Sequence, residues 1–162
     1  MGSGWNEPLP DFEIYNNQLR NKDAFGQEAQ YTKPVGPDQR VSADCKMTAA
    51  GNSCGVIARW SNAGNFYYAR IDAGLRNIAL FKKVNGTFTR LAAASRPLSY
   101  STFYRLQLVA KGTSLSVYFN GESAPAISIN DPSLTTGNYA GLRSYAGAAY
   151  TTSFDNFKVS VP

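Results

Sequence analysis

The stretch Trp60 to Asp72, WSNAGNFYYARID, places four aromatic residues and an arginine around the turn-like SNAGN, either as core packing at a hairpin or as a platform on which a ligand stacks. Arginine adds paired donors that suit planar acceptors such as carboxylates or sulfates. If the residues after the turn-like SNAGN form a strand, period-2 parity separates Phe66, Tyr68, Arg70 and Asp72 from Tyr67, Ala69 and Ile71. The second set reads as the core face. The first projects to the other side, either as a ligand surface or as a ladder of cross-strand ion pairs and rings. On the preceding strand Ile57 and Arg59 alternate with Val56, Ala58 and Trp60, and Trp60 is either a stacking ring or a lid over the core. The segment SYAGAAY, residues 144–150, reads as a loop after Arg143. Loops at one end of a sandwich often carry function, which makes Arg143 and Tyr145 further ligand candidates.

Other chemistries are missing. The chain has no histidine, and so lacks the commonest general base and transition-metal ligand. It carries neither a glycine-rich phosphate loop nor a nucleophile elbow. Glycoside hydrolysis needs only two carboxylates across a cleft. Sandwich glycanases set these on alternate positions of one strand, as E-x-D-x-x-E, whereas here only Asp11 and Glu13 lie two apart. No catalytic residue is named, and a glycan-cleaving enzyme is the minor alternative.

Composition sets the frame. The 162 residues carry 16 Lys+Arg against 11 Asp+Glu, a formal charge of +5, with the basic residues scattered singly apart from Lys82-Lys83. That tilts the chain toward anionic partners without the clustering expected of a nucleic-acid binder. No apolar run is long enough to span a membrane. Residues 1–4, MGSG, read as an expression scar and residues 5–162 as a single β-sandwich domain. Cys45 and Cys54 flank KMTAAGNS; a hairpin centred between Ala49 and Ala50 would set them opposite each other, within reach of a disulfide. Two free buried thiols are the alternative, and a disulfide points to an oxidising compartment.

Short β-branched and aromatic runs alternate with Gly, Asn, Pro and Ser at the spacing of a sandwich or barrel, and no helical apolar stripe persists. Period 2 is clearest at Val41, Ala43, Cys45, Met47, at Tyr104, Leu106, Leu108, Ala110, and at Leu115, Val117, Phe119. Asn85-Gly86 and Asn120-Gly121 predict type I′ hairpin turns, and Asn16-Asn17 a turn between two short strands. Residues 21–39 are the least regular, with one short strand near Ala29 to Lys33. The closing SFDNFKVSV sets Phe154, Asn156 and Lys158 against Asp155, Phe157 and Val159. The expectation is all-β: two packed antiparallel sheets of the jelly-roll kind, with a short-strand barrel as the alternative.

Three segments, in order, carry a family resemblance: CGVIARWSNAGNFYYARIDAG, RLQLVAKGTSLSVYFNGES and NYAGLRSYAGAAYTTSFDNFKV. They resemble the hairpin and closing-strand motifs of bacterial laminin G-like, concanavalin A-like jelly rolls, a group that includes levan-binding modules. The resemblance implies a non-catalytic, lectin-like carbohydrate-binding module of a secreted or cell-surface bacterial protein. It would be a monomer on its own, appended to a larger multidomain protein, and would bind a polysaccharide or oligosaccharide on a sheet face or rim. The net charge favours an acidic one. By the same resemblance Arg59 lines the binding face, and a structural Ca2+ sits where the terminal strands meet, held by Asp155 with Asp11 or Glu13. For Asp155 a hydrogen bond to a neighbouring turn is the alternative. A structural or adhesive domain of a cell-surface or phage-tail protein is the rival from another class.

Overall fold

The computed structural model describes residues 4–6 and 11–162, so of the MGSG segment all but Gly4 lies outside the described residues. The described residues form strands and no helix. One seven-stranded sheet runs β1 (Trp5–Asn6), β4 (Phe25–Tyr31), β13 (Tyr139–Ala146), β6 (Ser53–Asn62), β7 (Asn65–Asp72), β8 (Asn77–Val84), β9 (Thr87–Ser95). The other runs β12 (Ile127–Asn130), β11 (Ser114–Phe119), β10 (Tyr104–Lys111), β5 (Gln39–Met47), β14 (Thr152–Ser160), β3 (Gln18–Asn21), β2 (Phe12–Tyr15). All pairings are antiparallel and the crossovers carry the chain between the sheets, which makes this the expected two-sheet jelly roll and not a closed barrel.

The inner faces follow the alternation. Val41, Ala43, Cys45 and Met47 of β5 and Leu106, Leu108 and Ala110 of β10 are fully buried against Val56, Ala58, Tyr67, Ala69 and Ile71 of the facing sheet. The small residues Ala29, Ala58 and Ala69 share this buried layer with Tyr67. Two bulges redirect core or site residues, and a third lies in β9 between Arg90 and Ala92. Register shifts between Asp155 and Lys158, where Asn156 takes φ 50°, so Phe154 and Phe157 both turn inward despite their odd spacing. A second bulge lies between Ala58 and Asn62.

The turn predictions divide by loop length. Asn85 and Gly86 take φ 49° and 84° and close β8 on β9 with Val84 opposite Thr87. Asn16 and Asn17 do the same for β2 and β3, at φ 48° and 61°. Asn120 and Gly121 adopt positive φ too, but the chain wanders on before Ile127 pairs with Val117. The expected strand near Ala29 begins earlier, at Phe25.

The cysteines are bonded, and the bond lies elsewhere than a hairpin would put it. Cys45 belongs to β5 in one sheet and Cys54 to β6 in the other, so residues 48–52 are an arch over the end of the sandwich and the disulfide ties sheet to sheet. The physical reason is parity: both cysteines sit on inner faces and are fully buried.

One polar cluster fastens the β12–β13 connection to the core. The buried Tyr67 hydroxyl donates to Asp131 Oδ1 at 2.8 Å and accepts from the Leu134 amide at 3.1 Å, and Lys82 Nζ donates to Asp131 Oδ2 at 2.9 Å. Burial would raise the Asp131 carboxyl. The Lys82 ammonium, the Ser133 hydroxyl and amide and the Tyr67 hydroxyl outweigh it and hold the group well below the usual carboxylate range. Burial, with the Asp131 carboxylate beside it, pushes Tyr67 up to about 12. A tyrosine in the unfolded chain ionises near 10, so the stability this neutral phenol contributes is complete below about pH 10 and is lost between about pH 10 and 12. The expected result is that Tyr67→Phe is less stable than the wild type at neutral pH by about 1 kcal/mol, and that the gap closes or reverses by about pH 12. Urea unfolding at a series of pH values measures it; a gap that stays constant above pH 10 refutes the assignment.

Candidate functional site

The first seven-stranded sheet has a second, smaller apolar cluster on its outer face: Ile57, Trp60, Phe66 and Tyr68, with Phe81 and Tyr139 packed against it. Trp60 and Phe66 rings sit 5.4 Å apart, and Tyr68 and Phe81 6.3 Å apart. Immediately beside this cluster, cross-strand register aligns Glu28, Arg143, Gly55, Arg70 and Ala79 in a row over β4, β13, β6, β7 and β8. The next row is Gly26, Tyr145, Ser53. Glycine at 55 has a packing cause, since an added Cβ would fall on the carbonyl oxygen of Ala69 in β7. Its consequence is a gap in the row, with an arginine on either side.

The two arginines flanking this gap line a cavity of about 210 Å³ together with Ser53, Tyr68, Phe81, Phe88 and Tyr145. Phe88 (39% exposed) and Tyr145 (46%) form its rim, while Tyr68 (4%) is part of its base. Both guanidinium groups lie against aromatic faces: Arg70 is 4.9 Å from the Phe81 centroid, and Arg143 is 4.9 Å from Phe88 and 5.6 Å from Tyr68. Gly26 supplies a bed for Arg143, because a Cβ there would come within 2.6 Å of Nη2.

The charges are loosely paired. Arg70 Nη2 lies 3.5 Å from Asp72 Oδ2, Arg143 Nε 3.4 Å from Glu28 Oε1, and Lys83 Nζ 3.4 Å from the same oxygen. Arg143 donates one long hydrogen bond, to the Ser144 carbonyl at 3.3 Å, and Nε of both arginines is buried without a hydrogen-bond partner. Asp72 Oδ1 is already used, accepting from the Leu75 amide at 3.0 Å. The Tyr68 hydroxyl donates to the Arg143 carbonyl at 3.4 Å; burial raises its pKa against the pull of Arg143 and Arg70.

The structure thus brings Tyr68, Arg70, Arg143 and Tyr145 around one cavity, with Asp72 behind Arg70. Ser144 to Ala146 prove to be part of β13 and not of a loop, which is why Tyr145 stands in register with Ser53. Arg59 is not among them. The Ala58–Asn62 bulge puts it at φ 54°, fully buried and turned off the sheet face, with Nε donating to the Pro37 carbonyl at 2.6 Å and Nη1 to the Leu134 carbonyl at 2.9 Å. The same bulge returns Trp60 to the side of Ile57, where its ring, 2% exposed, is packing and not a stacking platform. Glu28, Ser53, Phe81, Lys83 and Phe88 were not anticipated. The Asn85-Gly86 turn contained the signal for Phe88, since a two-residue hairpin puts it opposite Lys83. Ser53 was hidden by the supposed 45–54 hairpin.

The residues named for calcium do not converge. Glu13 accepts from Arg20 Nε at 2.6 Å, and Asp155 Oδ1 accepts the Asn156 amide at 2.7 Å inside its own bulge. Burial and the nearby Asp23 raise the Asp11 carboxyl, against the pull of Lys22. Among the described residues no group of three or more His, Cys, Asp or Glu is placed to hold a metal ion, so the donors present do not fit a structural Ca2+.

No family model matches the chain, and no curated protein does. Solved structures match it along nearly its whole length. The carbohydrate-binding module CBM66 from Bacillus subtilis superposes with a TM-score of 0.83 at 20% identity, covering 97% of this chain and 95% of that one. The Ca2+- and Man3GlcNAc-bound exoplasmic/lumenal domain of VIP36 matches with a TM-score of 0.69 at 13% identity over 98% of this chain and 84% of that one. The GH43 protein BlXynB from Bacillus licheniformis matches at 0.76 and 13% identity; all of this chain corresponds to 37% of it. At these identities the likeness is one of fold: the protein has the lectin-like jelly roll found in carbohydrate-binding modules and lectins and in part of a glycoside hydrolase.

Proposed function

We propose that the protein is a non-catalytic carbohydrate-binding module that holds a saccharide in the cavity between Arg70 and Arg143, on the outer face of the first seven-stranded sheet. The observation that carries this reading is the cavity itself: Arg70 and Arg143 line it, Arg143 making one long side-chain hydrogen bond and Arg70 none, and the exposed Phe88 and Tyr145 rim it. The likeness to a carbohydrate-binding module over both chains supports the reading, and the buried disulfide suits a secreted or cell-surface protein. Its place is as an appended module, a monomer in isolation, of a larger bacterial protein acting on or attaching to polysaccharide. Among the described residues no helix is long and apolar enough to cross a membrane.

Calorimetric titration against neutral and acidic oligosaccharides tests the proposal. Binding is expected, and Phe88→Ala and Tyr145→Ala are each expected to weaken it by roughly tenfold, as loss of a stacking ring does. Gly26→Ala is expected to weaken it too while leaving the thermal midpoint nearly unchanged, because the added methyl displaces the flexible end of Arg143. Two rival readings share the experiment. Trp60, Phe66 and Tyr68 are packed together, as a purely structural or adhesive domain requires, and such a domain binds no glycan at millimolar concentration. The GH43 likeness raises glycan cleavage; release of reducing ends from a polysaccharide panel would establish it in place of simple binding.

A further inference from the structure

We infer that the sugar residue taken by this cavity carries a carboxylate, received by the guanidinium groups of Arg70 and Arg143 across the gap at Gly55; the inference rests on the sugar-binding reading above. Arg105 forms a two-pronged pair with Asp44 at 2.7 and 3.0 Å, Arg20 is bonded to Glu13, Arg96 to the Ser95 carbonyl and Glu122, and Arg59 to two carbonyls and Asp38. Arg70 forms no hydrogen bond and Arg143 a single long one, although their side chains are only 21% and 13% exposed. A guanidinium withdrawn from water normally finds acceptors. Here the carboxylates of Asp72 and Glu28 stand back at 3.5 and 3.4 Å, close enough to hold each arginine in place and too far to satisfy it.

The lining is therefore rich in donors and poor in acceptors. Its side-chain oxygens belong to Ser53, Tyr68 and Tyr145, all hydroxyls, and that of Tyr68 already donates to the Arg143 carbonyl. A neutral sugar brings a donor with every hydroxyl and would leave many of them unanswered. A carboxylate brings only acceptors, in the planar pair that matches a guanidinium fork. Arg70, Arg143 and Lys83 set three cations against the two carboxylates of Asp72 and Glu28, so the site keeps an uncompensated positive charge. Both arginines line the same cavity, and in the row between them β6 presents only Gly55, with no side chain.

The test is calorimetric titration of the full chain with uronate and sialate oligosaccharides, their methyl esters, sulfated oligosaccharides and neutral oligosaccharides. Carboxylated sugars are expected to bind best. Esterification, Arg70→Gln or Arg143→Gln should each weaken them on the order of 10- to 100-fold, the range for losing a hydrogen bond to a charged group. Arg40→Gln removes the same charge from an exposed position on the other sheet and should change binding little. Arg70→Lys and Arg143→Lys keep the charge and the fold but lose the fork, and are expected to fall between. Neutral sugars or methyl esters binding as tightly as the acids would overturn the carboxylate inference and leave the sugar-binding reading standing. Preference for sulfate over carboxylate overturns it as well. Absence of binding to every glycan overturns both.

Discussion

Arg59→Ala is expected to destabilise the fold by about 3–4 kcal/mol, which is the cost of leaving several buried partners of a charged group unpaired. The side chain is 1% exposed and holds two loops to the sheet: its Nε and Nη1 donate to the carbonyls of Pro37 and Leu134, and Nη2 reaches Asp38 Oδ1 at 3.2 Å. Its own amide donates to Gln39 Oε1 at 2.9 Å, and the Gln39 amide group returns to the Gly36 carbonyl at 2.6 Å. The Gly137 backbone packs so closely on the Arg59 carbonyl that no Cβ fits there. Truncation would strip the partners from both loops and leave a cavity the length of the guanidinium stem. Arg59→Lys should recover less than half of the loss, because one ammonium cannot span both carbonyls. Chemical denaturation of the variants decides it: a loss below about 1 kcal/mol would mean that water satisfies the corner and that the clasp is incidental. Glycan binding by whatever fraction stays folded should be unaffected, which separates this arginine from Arg70 and Arg143.

The second large effect is at the disulfide. Replacing Cys45 and Cys54 together by alanine is expected to cost about 2–3 kcal/mol, from the chain entropy released on opening a loop of this size, and to lower Tm by about 5–10 °C. Because both sulfurs are fully buried between the sheets, reductant should act slowly on the native protein and quickly near the unfolding midpoint. There is a consequence for the site. Ser53, which lines the cavity, precedes Cys54 at the start of β6, so loosening the arch also loosens this side of the cavity. Ligand affinity should therefore fall in the double variant even at temperatures where it remains folded. Scanning calorimetry with and without a bound saccharide separates the two effects, and an unchanged Tm would show that the arch is held by packing alone.

Local patterns were enough wherever parity and turn chemistry act alone. Alternation of apolar residues identified β5, β10 and β11 and their core faces, and the assignment of Tyr67 to the core and of Tyr68, Arg70 and Asp72 to the opposite face follows from period 2 within one strand. Asn-Gly at 85–86 determined a hairpin because both residues tolerate positive φ. Two of the misassignments share a cause. At Arg59, counted against β13, and again at Asn156, counted against β5, a bulge inserts one residue and reverses the parity that follows, and nothing in ARW or FDNF announces it. KMTAAGNS would serve a hairpin or an arch equally well; which one forms depends on which sheet each flanking strand joins.

The sequence by itself determined an all-β sandwich, the core face of most strands and the shared face of Tyr68, Arg70 and Asp72; it left the cysteines between a disulfide and free thiols and named Arg143 and Tyr145 without joining them to that face. Only the tertiary structure decided that Arg70 and Arg143, far apart in the chain, flank the same glycine on a strand between them, and that Arg59 does not join them. The physical reason is that a strand's own residues set which way a side chain points, whereas its neighbours are set by strand order and register across the sheet, and these emerge from the packing of the whole core.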